Sequence, residues 1–302
     1  MTYGFSPETS PAQQRRVVLV LCLAVLGVSS SAVLVRSMDA SALAISAWRT
    51  LGAAILLAPL FLRKLAQVER RDILSIGLAG AFLGLHFWLW FESLAHTTVL
   101  RSTVLVCLVP LWTGLIEALL WRRAPPRRFW VGTCISLAGA AMLSPMSGAA
   151  EGSWYGDLLA VIAGMLWALY FLIGKQVRTR VGTLTWMGLA CLSASCLLWP
   201  IALTSHTEMW GYAPLTWWLL LAAILGPQLI GHQGFAYAVR WLPASTIALV
   251  TLLEPVGASA LALIVLDEWP PQSALWGTLV LLMGLAAATR RTIEADGGAP
   301  VP

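Results

Sequence analysis

The stretch GPQLIGHQGFAYAVRWLPASTIALVTLLEP, residues 226–255, decides how the rest of the chain is interpreted. It is apolar enough to lie in a lipid bilayer, yet it carries His232 and Gln233 in one half and Glu254 in the other, with Arg240 between them. A charged side chain near the bilayer centre costs at least about 2.5–3.5 kcal/mol, so such a residue faces protein or a water-filled cavity. The stretch therefore predicts two transmembrane helices that line a central pathway.

The overall composition is that of a polytopic membrane protein. Hydrophobic residues make up 59% of the 302 residues, charged residues only 11%, and the mean hydropathy is +0.79. This is far more apolar surface than a soluble domain of this length can bury. The formal net charge of +5 would suit nucleic-acid binding, but the Lys and Arg residues fall in short clusters between apolar segments. We therefore expect the lipid bilayer as a partner, and no nucleic acid.

Apolar segments of about 17 to 25 residues recur along the chain, and this is the length that an α-helix needs to cross roughly 30 Å of hydrocarbon. The predicted fold is all-α, with ten transmembrane helices at about 17–36, 42–62, 73–94, 98–121, 128–144, 154–174, 183–204, 215–239, 244–266 and 272–290. They divide into five-helix halves at 17–144 and 154–290, between the tails 1–16 and 291–302.

The basic residues assign the two sides of the membrane. With ten spans, one side receives Arg36 alone, and the loops at 144–153 and 205–214 on that side contain no Lys or Arg. The positive-inside rule makes the basic side cytoplasmic, so both termini are predicted in the cytoplasm and the protein in the cell's inner membrane. The basic residues on the cytoplasmic side are Arg15, Arg16, Arg63, Lys64, Arg70, Arg71, Arg122, Arg123, Arg127, Arg128, Lys175, Arg178, Arg180, Arg240, Arg290 and Arg291.

An internal repeat relates the two halves at an offset of 145 residues without a gap. An offset that spans five helices inserts the second copy upside down, and inverted repeats place the binding site between the halves near the midplane. Duplication alone also produces repeats, but we interpret this repeat as that of a transporter. The matched residues are Pro110 with Pro255, Pro125-Pro126 with Pro270-Pro271, Gly132-Thr133 with Gly277-Thr278, and Gly139 with Gly284.

Four motifs can be quoted together: the stretch from Ala236 to Val256, the acidic pair Asp267-Glu268 before the last span, Gly156-Asp157-Leu158-Leu159, and Trp167-Ala168-Leu169-Tyr170. With these motifs the chain resembles the EamA branch of the drug/metabolite transporter superfamily. The sequence departs from the general pattern with Val109 where the second half has Glu254, and with Arg101 and Glu117 in the fourth span. The resemblance covers nearly the whole chain and implies a secondary carrier for small metabolites, with the substrate left open.

Two histidines at similar depth mark a candidate solute site. His86 lies near the middle of the third span, and His232 with Gln233 lies almost at the matching place in the eighth. Histidine can donate or accept a hydrogen bond and can change charge near neutral pH. Each histidine could instead bond a neighbouring helix, but the repeat favours a shared cavity.

Aromatic residues share helix faces near these polar positions. Helical spacing puts Trp90 on the face of His86, and puts Trp167 and Tyr170 on one face of the sixth span. If these rings face the cavity, they would stack on an aromatic or cationic solute. Packing against other helices is the competing interpretation.

Two arginines in the spans are further candidates. Arg49 and Arg101 each lie one to two turns from the predicted outer end of a helix, and either could bind a substrate carboxylate or phosphate through its guanidinium fork. Either could also snorkel to the interface or pair with Glu92. A structural pair between Glu92 and Arg101 is slightly favoured over a ligand site.

Glu254 is the deepest carboxylate and the candidate for energy coupling. It lies about ten residues, or roughly 15 Å, from the predicted cytoplasmic end of the ninth span. Its charge would be costly there unless a cation, a solute or a proton accompanies it. The competing role is structural, as a neutral carboxyl bonded to a carbonyl that Pro255 frees.

These features predict an exporter of small metabolites, most plausibly amino acids or similar amphiphilic solutes, that works by alternating access as a monomer. The alternative on the same fold is a flippase for a lipid-linked substrate. An enzyme is disfavoured because the chain has no HExxH or other paired catalytic motif, and no phosphate-binding loop for ATP hydrolysis. No cofactor and no metal site are expected.

Overall fold

The structure is a computed structural model and describes residues 10–121, 127–142, 153–238, 241, 250–251, 253–270 and 272–289. The elements are all helical, as the composition predicts, and twelve α-helices lie in this part of the chain. A 3-10 turn over Leu62–Gln67 follows α2, and a π-helical segment over Ile224–His232 joins α9 to α10. The α-helices are α1 (Pro11–Arg36), α2 (Ala42–Phe61), α3 (Arg70–His96), α4 (Val99–Val106), α5 (Val109–Trp121), α6 (Arg127–Met142), α7 (Trp154–Val177), α8 (Thr183–Thr204), α9 (Pro214–Ala223), α10 (Gln233–Ala238), α11 (Leu253–Leu266) and α12 (Gln272–Thr289).

Seven segments of the described chain are long and apolar enough to cross a membrane, and the chain is a multi-pass membrane protein. Apolar helices that are shorter than this length cover Leu253–Leu266 and Leu275–Gly284. The prediction of ten spans therefore stays a prediction. The seven segments are Pro11–Arg36, Ala42–Gln67, Arg70–His96, Val99–Leu119, Trp154–Val177, Thr183–Thr204 and Pro214–Ala238.

Hydroxyl side chains start the helices that position the site. Ser41, Thr98 and Ser153 are the N-caps of α2, α4 and α7, and each side-chain oxygen accepts a hydrogen bond from the backbone N–H three residues later, at 3.2–3.3 Å. Such a cap satisfies one of the backbone donors that a helix start leaves unpaired, and it is worth about 1 kcal/mol. Each of these three helices therefore begins at a defined residue.

Proline residues mark the places where the predicted fourth and eighth spans depart from α-helix. The fourth span breaks between α4 and α5, just before Pro110, and the eighth span widens into a π-helix around Pro227. Proline has no backbone N–H and clashes with the preceding turn, so a helix bends or loosens beside it. Backbone carbonyls that lose their partners in this way are tolerated within a membrane where protein surrounds them.

Antiparallel packing of α6 against α12 relates the two halves. A Cβ atom on Gly139 would lie 2.3 Å from Leu281 N and 2.7 Å from Gly277 O, and one on Gly284 would lie 2.4 Å from Ser136 N and 2.6 Å from Gly132 O. All of these contacts map onto one another at the 145-residue offset. Residue numbers rise along one helix as they fall along the other, so the helices run in opposite directions, as an inverted repeat requires.

The remaining helices follow the same symmetry. The third predicted span of each half packs against the first span of the other half, as α3 against α7 and the π-helical segment against α1, while α2 packs against α8. The largest buried hydrophobic cluster draws on both halves and lies between them. Large apolar side chains such as Leu74, Leu119 and Ile264 are more than two-thirds exposed and form the surface that lipid would cover. The space between the halves is therefore where polar groups can be shielded from lipid.

Candidate functional site

A cluster of aromatic and basic side chains lies where α2, α3, α7 and the π-helical segment meet. His86 and Phe87 follow one another on α3, Trp167 comes from α7, and His232 comes from the end of the π-helical segment. The ring of Trp167 lies 5.1 Å from His86 and 4.8 Å from His232, measured between centroids. We call this set the central cluster, and its members are Arg49, His86, Phe87, Trp90, Trp167, Tyr170 and His232.

His86 is held in a fixed orientation. Its Nδ1 atom lies 2.9 Å from the backbone oxygen of Ala163, so this nitrogen carries the proton and donates it to the carbonyl. Trp90 stacks on the same ring at 5.8 Å. The sequence left two roles open for His86, a bond to a neighbouring helix and a place in a shared cavity. The hydrogen bond to Ala163 on α7 is the first of these, and the place in a cavity stays a prediction.

Tyr170 forms the floor of the cluster toward α8. It stacks on Trp167 at 5.0 Å and accepts a hydrogen bond of 2.8 Å from the indole Nε1 of Trp186. Both Tyr170 and Trp186 are buried. Because this hydrogen bond joins two large buried rings, it fixes the wall against which Trp167 lies.

Arg49 is the charged member of the cluster and is fully buried. Its Nε donates to Gln228 Oε1 at 3.0 Å, and its Nη1 donates to Ser31 Oγ at 2.9 Å. The guanidinium lies over the ring of Phe87, 4.3 Å from the centroid, which is the geometry of a cation–π contact. Arg49 therefore does not snorkel to the membrane surface, and its predicted pairing with Glu92 is wrong.

Several polar atoms around the cluster are buried and have no hydrogen-bond partner among the described residues. They are Arg49 Nη2, Trp90 Nε1, His232 Nδ1 and both amide atoms of Gln233. Buried polar groups in native proteins are paired in the great majority of cases, and an unpaired one costs about 1–3 kcal/mol. Buried polar atoms that are unpaired in the described chain and lie near one set of rings are what a binding site for a polar solute presents. Gln233 follows His232 directly in the chain, and its side chain has no hydrogen-bond partner among the described residues, so its place in the site stays a prediction.

Glu254 lies in the first turn of α11 and is partly buried. Its charge interacts electrostatically with Arg49, but no carboxylate oxygen lies within 4.0 Å of that guanidinium in the described chain. Its backbone oxygen accepts a hydrogen bond of 3.5 Å from Ser29 on α1. The acid is thus near the cluster without neutralising Arg49 by contact.

Arg101 belongs to a different site. Its Nε donates to Asp157 Oδ1 at 3.2 Å and its Nη2 bonds the other carboxylate oxygen, so the pair is bidentate. The predicted pair with Glu92 is wrong, because Glu92 contacts His96 one turn along α3, at 3.3 Å. The structure does not bring Arg101 to the central cluster. Because α4 packs on α7, Arg101 pairs with Asp157, a carboxylate from the other half of the chain.

Asp157 is part of a larger polar group that joins both halves at one end of the bundle. Thr97 Oγ1 donates to Asp157 Oδ1 at 3.2 Å, and Arg36 Nη1 donates to the backbone oxygen of Thr97 at 3.0 Å. Glu268 accepts from the backbone N–H of Val99 at 2.7 Å and lies 3.7 Å from Arg36. We call Arg36, Thr97, Arg101, Asp157 and Glu268 the end cluster.

A second ion pair closes the opposite end of α3. Asp72 is buried at the start of that helix, and Arg180, in the loop after α7, bonds both of its oxygens at 2.6 and 3.2 Å. The hydrogen bond to Asp72 raises the pKa of the Arg180 guanidinium, which stays charged. Since α3 has 27 residues, this pair and the end cluster are roughly 40 Å apart, with His86 between them.

Two residues at the site were not predicted from the sequence. Phe87, a member of the central cluster, lies beside His86 and contacts Arg49, and Gln228, next to the cluster, accepts a hydrogen bond from Arg49, which is 179 residues away in the chain. For Gln228 a signal existed, since it is an amide next to Pro227 in an apolar segment. Phe87 offered none, because a phenylalanine in a membrane span is indistinguishable from a lipid-facing residue. Arg240, in the stretch that opened the sequence analysis, lies outside the described residues, and no group that could hold a metal ion occurs within them.

The apolar spans, the internal repeat and the buried polar cluster between the halves define a multi-pass membrane transporter. The chain belongs to the EamA-like transporter family, whose pattern matches it twice, over residues 15–144 and 154–290. This confirms the resemblance, whereas the predicted bounds of the two halves stay a prediction. Members of this family are transporters and not enzymes.

Proteins that are similar to this chain are also named as transporters. An uncharacterised transporter of Bacillus subtilis, YwfM, is 27% identical over 278 residues, which is 85% of this chain and 88% of that protein. A protein of Streptantibioticus cattleyicolor named a "probable terminal-alkyne amino-acid exporter" is 26% identical over 241 residues, which is 77% of this chain and 78% of that one. A chain in a solved crystal structure aligns with a TM-score of 0.64 at 18% identity, over 92% of this chain and 99% of that chain, so the two share a fold.

Proposed function

We propose that the protein exports small metabolites, amino acids or similar amphiphilic solutes, across the inner membrane, with both termini in the cytoplasm. The observation that carries the proposal is the central cluster, in which a buried arginine and unpaired polar atoms are surrounded by aromatic rings between the two halves. Amphiphilic solutes match a site with an apolar wall and a few polar contacts. The relative named as an amino-acid exporter supports the same class of solute.

The two ends of the bundle support transport by alternating access. The end cluster joins α1, α4, α7 and the segment after α11, whereas Asp72 and Arg180 join the start of α3 to the loop after α7. A carrier must open one end while the other stays closed, and ion pairs between the halves can form and break as the halves rock. We propose ten spans in two inverted repeats, which the antiparallel packing at Gly139 and Gly284 supports.

Transport by the central cluster predicts a specific loss on mutation. The double variant His86→Ala, Trp167→Ala should reduce amino-acid transport at least tenfold, because it removes the two rings that join α3 to α7 beside the unpaired donors. Inverted membrane vesicles from an expressing host, given labelled amino acids, measure this directly, since export from the cell is uptake into such vesicles.

A matched control uses the same residue types at exposed positions. His206 and Trp218 are both exposed, so His206→Ala, Trp218→Ala should transport normally. Full transport by the His86→Ala, Trp167→Ala variant would refute the central site. Vesicles that move a lipid-linked substrate and no amino acid would support a flippase in place of a metabolite carrier.

A separate prediction concerns coupling through Glu254. Its charge is costly in the bilayer interior, and within the described chain the charged group that interacts with it electrostatically is Arg49. We expect Glu254→Gln to bind solute but to transport it at a rate that no longer depends on pH, because the amide keeps hydrogen bonding and cannot titrate. Proteoliposome transport at several pH values measures this, with Glu208→Gln in an exposed loop as the control. An unchanged pH dependence in Glu254→Gln would make the carboxyl structural.

A further inference from the structure

We propose that Arg49 is the carboxylate-binding residue of the central site, and that the solute is a monocarboxylate with an apolar or aromatic side group. This inference rests on the proposed transport function and names the chemistry of its substrate. The Arg49 guanidinium has hydrogen-bond donors that its described neighbours leave unused.

The donors of Arg49 are only partly used. Gln228 takes the Nε–H and Ser31 takes one N–H of Nη1, whereas Nη2 is buried and has no hydrogen-bond partner among the residues that the structure describes. The face of the guanidinium is covered by Phe87 at 4.3 Å, with Phe91 at 5.4 Å. The N–H groups of a guanidinium point outward in its plane, so an incoming carboxylate would bind at the Nη2 edge.

Within the described part of the chain, no carboxylate contacts the charge of Arg49. Gln228 and Ser31 are neutral, and Glu254 interacts with Arg49 without a carboxylate oxygen within 4.0 Å in the described chain. By contrast, Arg101 and Arg180 each contact an aspartate through two nitrogens. A buried cation without an anion is costly, and a carboxylate solute would neutralise it when it binds.

The surroundings of Arg49 specify the rest of the solute. Phe87 contacts both Arg49 and His232, and Trp167 lies against His232 and His86. These rings form an apolar wall next to the cation, where an aliphatic or aromatic side group would pack. Arg49 supplies one formal positive charge, which matches one carboxylate better than a doubly charged phosphate. Two further buried atoms have no hydrogen-bond partner in the described chain: His232 Nδ1 could accept from a substrate ammonium or hydroxyl, and Trp90 Nε1 could donate to a hydroxyl or carbonyl oxygen.

The test compares solutes that differ only at the carboxylate. Isothermal titration of the full chain in detergent would use 3-phenylpropionate and 3-phenylpropanamide, and then phenylalanine and phenylalaninamide. A charge-assisted hydrogen bond to a buried arginine is worth at least about tenfold in affinity, so each acid should bind at least about tenfold more tightly than its amide. Equal affinity of acid and amide, or binding by none of the four compounds, would overturn the inference.

Gln228→Glu provides a variant that keeps the Arg49 contact. The new carboxylate would lie where the amide oxygen now accepts from Nε at 3.0 Å, and it would neutralise the guanidinium without a change in side-chain size. We expect acids to lose at least about tenfold in affinity while amides bind unchanged. Gln176→Glu makes the same chemical change at an exposed position and should keep the preference for acids.

The outcomes separate this inference from the proposed function. A preference for acids that survives in Gln228→Glu would overturn the role of Arg49 and leave transport untouched. Vesicles that transport acids and amides equally well would also refute the carboxylate site alone. Failure of the wild-type protein to move any amino acid would instead refute the proposed function.

Discussion

Arg101→Met is expected to lower the free energy of unfolding by about 3 kcal/mol, because it leaves Asp157 without its cation at a site that both halves enclose. Breaking one partner of a buried pair costs about 3–5 kcal/mol, and the lower end applies because the Asp157 side chain is 19% exposed and keeps its bond from Thr97. Thermal unfolding of the detergent-solubilised protein, followed by the loss of the monodisperse species, measures the change.

A double variant identifies the cause of that loss. Arg101→Met, Asp157→Leu should recover most of the stability, because a buried ion pair can be replaced by apolar side chains at little cost. Arg71→Met is the control, since Arg71 pairs with Glu69 at 2.7 Å but both side chains are more than half exposed. Exposed pairs contribute about 0–1 kcal/mol, so this variant should unfold like the wild type. If the double variant were as unstable as Arg101→Met, the ion pair would not be the source of the effect.

Gly139→Ala and Gly284→Ala form the second large prediction. In each variant the new methyl group would fall within 2.7 Å of backbone atoms of the facing helix, and backbone atoms cannot rotate away as a side chain can. Overpacking costs about 1–3 kcal/mol at each site, so α6 and α12 should separate and the protein should unfold at a lower temperature. Because the two glycines are repeat mates in equivalent contacts, the two variants should lose similar stability.

Gly77 is the matched control for this pair. It lies in α3, and a Cβ atom there would meet nothing within 4 Å. Alanine is a better helix former than glycine by about 1 kcal/mol, so Gly77→Ala should be neutral or slightly stabilising. Normal stability of Gly139→Ala would mean that the two helices do not pack as closely as the structure has them.

The site residues on α3 and α7 show what helical spacing can and cannot predict. His86, Trp90, Trp167 and Tyr170 were predicted on shared faces from spacing alone, and the structure brings them together with His232, which the repeat had placed at matching depth. Spacing determines the side of a helix that a residue occupies. It does not determine whether that side meets a cavity, another helix or lipid.

Partner choice was decided by tertiary contacts. Arg49 and Arg101 looked alike in the sequence, each a lone arginine near the same end of a span and each able to pair with Glu92. The fold gives Arg101 an aspartate 56 residues away and gives Arg49 a neutral amide 179 residues away. Such pairings depend on which helices are in contact, and the local sequence around either arginine does not indicate those contacts.

The sequence by itself determined that the chain lies in a membrane and that it consists of two related halves. Composition shows the membrane location because a bilayer accepts only apolar helices of sufficient length. The internal repeat shows the two halves because prolines and glycines match at a constant offset of 145 residues. The tertiary structure alone decided that Arg101 contacts a carboxylate and that Arg49 contacts a neutral amide. An ion pair with hydrogen bonds requires its two groups in contact, and only the folded arrangement of α2, α4, α7 and the π-helical segment sets those distances.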